Sequence, residues 1–113
     1  MSLNFSSKVS FEPIRTLAFG AIAAGYMGVG TALTHPARVL FIQNFTDAQV
    51  MFSINGVEDH LTMVSGAQLV FDATSNKTNQ ENFFMAKGDR LYVKRVGVPT
   101  AGAVYFSVVY GGN

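Results

Sequence analysis

From residue 38 onward the chain is written in short runs that alternate apolar and polar side chains, each closed by a turn-forming cluster. Residues 38–46 read RVLFIQNFT, 49–55 QVMFSIN, 60–64 HLTMV, 68–72 QLVFD, 90–96 RLYVKRV and 103–111 AVYFSVVYG. In the first run Val39, Phe41, Gln43 and Phe45 fall on one side and Leu40, Ile42 and Asn44 on the other. That is the two-residue period of a strand. Between the runs stand Thr46-Asp47-Ala48, Asn55-Gly56, Ser65-Gly66-Ala67, Lys87-Gly88-Asp89 and Pro99-Thr100-Ala101-Gly102, combinations that bend a chain. With FFMA at 83–86 and a strand around Ile14 to Ala24, the total is about eight strands, spaced roughly 8 to 12 residues apart. No segment sustains the 3.6-residue apolar period of a helix. The expected fold is an all-β antiparallel sandwich of jelly-roll type. Within it, Thr46-Asp47-Ala48 is expected to close a hairpin, and Asn55-Gly56 to form a tight type I′ turn.

The first 13 residues, MSLNFSSKVSFEP, fall outside this pattern. They divide the chain into an N-terminal arm or edge segment, 1–13, and one sandwich domain, 14–113. The plainer reading of the arm is a frayed terminus or an edge strand. The functional reading lays Phe5 and Phe11 onto a neighbouring subunit by strand addition. Behind no basic start is there a compact apolar run, so no signal peptide is expected.

Charge then narrows the function. Charged residues make up 13% of the chain, against about 25% in an ordinary soluble domain. Hydrophobic residues reach 49%, ten of them phenylalanine. Small monomers normally cover their surface with charge. This chain has too little for that, so its weakly charged faces belong against a membrane or against neighbouring subunits. Residues 16–34, TLAFGAIAAGYMGVGTALT, carry no charge and are long enough to span a bilayer. Four glycines and few large aliphatics there favour a strand and a glycine-rich loop instead. Lys+Arg 8 against Asp+Glu 7 leaves a net charge of +1. Only Arg90, Lys94 and Arg95 cluster, and alternation sends the last two to opposite faces, which is no nucleic-acid footprint.

Several residues invite a chemical reading. Asp47, Glu58, Asp59, His60 and His35 could together bind a cation or transfer protons. Their spacing matches neither a calcium loop nor a zinc helix, and Asp59 and His60 are neighbours that point apart in a strand. Turn and strand ends explain them. His35 precedes Pro36, which fixes extended backbone before the strand. With no cysteine, no Gly-x-Ser-x-Gly and Ser65 in a turn, nucleophilic catalysis has no candidate. The string Gly25-Tyr26-Met27-Gly28-Val29-Gly30 lacks the lysine of a phosphate loop. Catalytic, cofactor and metal residues are therefore expected to be absent. Tyr92, Tyr105 and Tyr110 sit on strand patterns where core packing is the default, with glycan stacking as an alternative.

The stretch NFTDAQVMFSINGVEDH at 44–60, the loop DATSNK at 72–77 and the strand AKGDRLYVK at 86–94 resemble small virion proteins of tailed bacteriophages. The resemblance covers about residues 36 to 111 and rests on turns and strands. It implies a non-enzymatic building block of the virion, assembled in the host cytoplasm, with the major capsid protein or other virion subunits as partners. Homo-oligomers, and neither nucleic acid nor membrane, complete that expectation. The first reading is a capsid cement or decoration protein. A tail, neck or baseplate component is the alternative, and a carbohydrate-binding host-attachment module the second alternative. The residues expected at a subunit interface are Phe5 and Phe11 on the arm, with Asn76, Lys77 and Asn79 in the polar loop.

Overall fold

The computed structural model describes residues 9–72, 85 and 87–111. Among these the strands are β1 (Val9–Phe11), β2 (Arg15–Ala18), β3 (Met27–Gly28), β4 (Val39–Asn44) and β5 (Val50–Ser53). They continue with β6 (Leu61–Met63), β7 (Gln68–Asp72), β8 (Tyr92–Arg95) and β9 (Ala103–Gly111). The first sheet runs β1-β9-β4-β7, and the second runs β3-β8-β5-β6. β1 and β2 lie end to end along the same side of β9, opposite Val109 to Gly111 and Ala103 to Phe106 respectively. Counted as one column they bring the sandwich to eight columns in jelly-roll order, the expected fold class; the strand expected at 83–86 lies, Met85 apart, outside the described residues. All pairings are antiparallel.

Burial follows the period of two. Leu40, Ile42 and Asn44 of β4 are buried while Val39, Phe41 and Gln43 are half-buried on the other side. In β9 the inward set is Val104, Phe106 and Val108. These meet Val50, Phe52, Met63 and Val93 of the second sheet, with Leu91 just before β8, in one core, each large side chain contributing about 1.5–3 kcal/mol by leaving water. Residues 16–34 hold most of β2, a 3-10 turn at Phe19–Ala21 and β3, in line with the strand and glycine-rich loop expected of that run. No helix among the described residues is long and apolar enough to cross a membrane.

The hairpin expected at residues 46–48 does not form. β4 pairs with β7 and β9, whereas β5 pairs with β6 and β8, so the chain crosses between sheets here. A buried polar corner makes the crossing possible. Asn44 Nδ2 donates to the carbonyls of Ala48, Met63 and Val64. Its Oδ1 accepts from the Thr46 N–H and hydroxyl. Backbone groups that a hairpin ladder would have satisfied are thereby satisfied by one side chain. Asn55-Gly56 also departs from expectation. β5 and β6 do pair, but through a loop at residues 54–60 in which Asn55 Oδ1 accepts the N–H groups of Val57 and Glu58.

Two residues that the sequence pattern leaves unremarked pin the N-terminal edge. Glu12 and Arg15 are buried to 4% and 6% exposure and form an ion pair at 2.6 Å. Arg15 also donates to the carbonyls of Thr31 and Ala32. Glu12 Oε2 accepts from the Thr34 N–H and hydroxyl and lies 2.9 Å from His35 Nδ1. Burial by itself raises the Glu12 carboxyl. The hydrogen bonds from His35, Arg15 and Thr34, with the charge of Arg15, outweigh it and hold the group below its ordinary value. The network ties β1 and β2 to the segment before β4.

Candidate assembly surface

The two outer faces of the sandwich differ in kind. On the first sheet, pairing registers place the outward residues in rows that run across its columns. Phe11, Val109, Val39 and Asp72 form one row, and Ser107, Phe41 and Val70 the next. Thr16, Tyr105, Gln43 and Gln68 form the third. Ala18 and Ala103 begin the fourth, where the Phe45 N–H donates to the Ala103 carbonyl. Across these rows the only charged residue is Asp72, at a corner. Phe11, Val70 and Phe45 are 66%, 61% and 45% exposed, and Ile14 beside them is also exposed. Two aromatic contacts organise the face: Phe11 on Phe41 with ring centroids 6.3 Å apart, and Phe45 on Tyr105 at 5.8 Å. Between them Gln43 donates to Gln68 at 2.9 Å, a neutral pair.

Charge gathers on the second sheet's side. Lys94 lies 3.0 Å from Asp59 and 4.9 Å above the Tyr26 ring, and the Tyr26 hydroxyl donates to Asp59. The Tyr26 bond, then the Lys94 bond, hold the Asp59 carboxyl below its ordinary value. Burial and Asp59 together push the Tyr26 hydroxyl well up. Arg90 donates to the Gly30 carbonyl and lies over the Tyr92 ring. Solvent suits such a face. A sheet face of mixed phenylalanine, valine and neutral polar groups suits a protein partner, whose interfaces are depleted in charge at their centre.

The acids and histidines singled out by type do not form one cluster: Asp47 and His35 stand apart from Glu58, Asp59 and His60, and each is engaged as a cap or pair partner. Asp47 accepts from the N–H groups of Thr100 and Ala101 and from the Thr100 hydroxyl. Bonding to Thr100 above all holds its carboxyl down. His60 Nδ1 accepts from the Ile54 N–H, and its Nε2 lies 3.6 Å from Glu58. His35 stands on Glu12, its ring stacked on Tyr110 with centroids 3.6 Å apart. Among the described residues no three His, Cys, Asp or Glu side chains converge on one point.

The three tyrosines share no platform: Tyr92 belongs to the second sheet, Tyr105 to the outer face of the first, and the Tyr110 ring is covered by His35. An apolar cavity of about 340 Å³ lies between the sheets, lined among the described residues by Leu40, Ile42, Phe52, Ile54, Leu69 and Phe71 with Ser53 and His60 at one end. The Ser53 hydroxyl is engaged there, donating to Asn55 and accepting from the Gly56 N–H. Of the residues expected at an interface, Phe11 sits on the uncharged face, within a strand of its own sheet. Phe5, Asn76, Lys77 and Asn79 lie outside the described residues.

No family model matches the chain, and no curated protein matches it. Similar solved structures include the following two. One comes from the Bacillus endospore appendages, described as a novel family of disulfide-linked pili: TM-score 0.50, 10% identity, covering 100% of this chain and 96% of that chain. The other is SPP1 Dit, described as a paradigm of the hub adsorption apparatus in phages infecting Gram-positive bacteria: TM-score 0.42, 10% identity, covering 90% of this chain and 49% of that chain. At such identity the first likeness is one of fold, and it agrees with the sandwich described above. This chain has no cysteine, so the disulfide linkage named for those pili is not open to it.

Proposed function

We propose that the chain is a non-enzymatic structural protein of a phage virion, which acts by docking the uncharged outer face of its first sheet against other subunits. One observation carries this reading: four columns of outward side chains with a single corner carboxylate, in a domain small enough to need charge on its surface. The resemblance of residues 36 to 111 to small virion proteins supports the phage setting, and the shortage of charge in the whole chain supports burial in an assembly. The absence of enzymatic activity is supported by the use of Asp47, Asp59, His35 and His60 as caps and pair partners. On the shell it acts as a cement or decoration protein bound to the major capsid protein; in the tail, neck or baseplate it is a ring component.

Placing a lysine at Val70 tests the docking face, because the side chain is exposed and outward and the substitution leaves the core intact. Val70→Lys protein keeps the wild-type melting temperature and is lost from particles. Incorporation at the wild-type level would refute the reading. Copy number per particle separates the two positions, a shell giving a multiple of its capsomers and a tail giving one ring's worth.

A further inference from the structure

The rows on the uncharged face have an internal order that points to a particular occupant. Along the two central columns, β4 and β9, both outward phenylalanines stand beside a small residue. Phe41 is paired with Ser107, and Phe45 is bonded to Ala103. The remaining pairs are Val39 with Val109 and Gln43 with Tyr105. A two-fold axis running along the strands, midway between β4 and β9, exchanges the two columns. Under that operation each Phe41 meets the partner's Ser107, each Phe45 meets the partner's Ala103, and Val39 meets Val109. Both phenylalanines thus face holes, and each Gln43 lies over the partner's Tyr105 as an amide-on-ring contact; this is the self-complementarity an isologous contact requires.

We infer that the occupant of this face is a second copy of the same chain, packed sheet to sheet about that axis. The inference rests on the proposed function above, in which this face is the docking surface, and it names the partner. Charge agrees with it. The axis carries the two Asp72 side chains to the two ends of one row, each beside the partner's Phe11 at the solvent margin, so like charges do not meet, and a face otherwise free of charge has nothing to attract a basic or acidic partner. Area agrees as well. Four columns at ~4.8 Å by about six residues at ~3.3 Å give roughly 400 Å² in plan. The pair thus buries on the order of 800–1,000 Å², below the range of stable interfaces and in that of weak, transient ones. Such a dimer is reversible, forming at the high local concentration of an assembly and dissociating on dilution. Sheet-edge addition is less well served on the other side of this sheet, where Pro13 interrupts the β1–β2 column and removes a donor.

Sedimentation velocity over a concentration series of the full chain tests the pairing. Wild type shows a reversible monomer–dimer equilibrium. Ser107→Phe sets ring against ring, and Phe41→Ser sets hole against hole. Each weakens association by roughly tenfold or more, the scale of one misplaced side chain in a close-packed contact. The double variant S107F/F41S exchanges knob and hole and restores association, with thermal melts confirming that each variant is folded. A chain with no native cysteine also allows a second readout. Ser107→Cys yields a covalent dimer with a short bis-maleimide, and Thr62→Cys on the opposite face does not. A chain that stays monomeric, or a double variant that fails to recover, overturns the inference. If Val70→Lys nonetheless blocks incorporation into particles, the occupant is a different chain and the proposed function stands. If Val70→Lys also incorporates normally, both fall.

Discussion

Replacing Arg15 by methionine probes how firmly the N-terminal edge, and with it Phe11, is held against the sandwich. Arg15 is 6% exposed and Glu12 is 4% exposed. Removing the guanidinium leaves a buried carboxylate without its cation and strips the Thr31 and Ala32 carbonyls of their donor. Breaking one side of a buried ion pair costs about 3–5 kcal/mol. That is a large part of the 5–15 kcal/mol typical of a whole domain. At roughly 4 °C per kcal/mol for a chain of this size, the melting temperature falls by about 12–20 °C. Removing both charges in Glu12→Leu/Arg15→Met recovers most of the loss, because apolar replacements of a buried pair are often near neutral. Urea unfolding followed by circular dichroism and tyrosine fluorescence measures this; the chain has four tyrosines and no tryptophan. A single-variant loss below about 1 kcal/mol would refute the reasoning, since the Thr34 and His35 bonds alone would then suffice to hold the buried carboxylate.

Acid should act through the same network. The folded Glu12 carboxyl titrates below its ordinary value of 4.5. Its contribution is therefore complete above that value and is lost as pH falls through the folded pKa. Glu12→Gln should flatten the acid limb of a stability–pH curve, and an unchanged limb would contradict the assignment. Gly102→Ala should cost about 3 kcal/mol or more in a denaturant titration: φ is +89° and a Cβ would lie 2.0 Å from the Phe45 carbonyl oxygen. Asn44→Ala should cost roughly 3–5 kcal/mol, since several buried groups at the sheet crossing lose their partner at about 1–3 kcal/mol each. Tyr26→Phe, by contrast, removes a bond to an exposed carboxylate and should change stability by less than about 1 kcal/mol.

What the sequence makes legible depends on the range of the interaction. Residues 103–111 alternate without interruption and form one strand over their full length, because side-chain period is a local property. The β4–β5 crossing is illegible by the same means. Alternation reports the face a residue takes and not the strand it pairs with, so a hairpin and a crossing share one pattern. Asn44, a polar residue in a buried position of an apolar strand, is the single local sign that the chain turns a corner there. Glu12 and Arg15 flank Pro13 in a chain with few charges, yet their partners at residues 31–35 are set by tertiary folding. The uncharged face is assembled from five strands scattered between residues 9 and 111 and becomes visible only with the registers. Composition signals that such a face must exist, and topology says where.

Hydroxyl-radical footprinting of the protein, free at low concentration and within the assembled particle, tests the central claim most directly. Phe11, Phe45 and Tyr105 on the first sheet's outer face should lose their labelling on assembly, while Tyr26 and Tyr92 on the charged side stay at the free level. Equal labelling of Phe11, Phe45 and Tyr105 in both states would contradict the assignment of that face as the assembly surface.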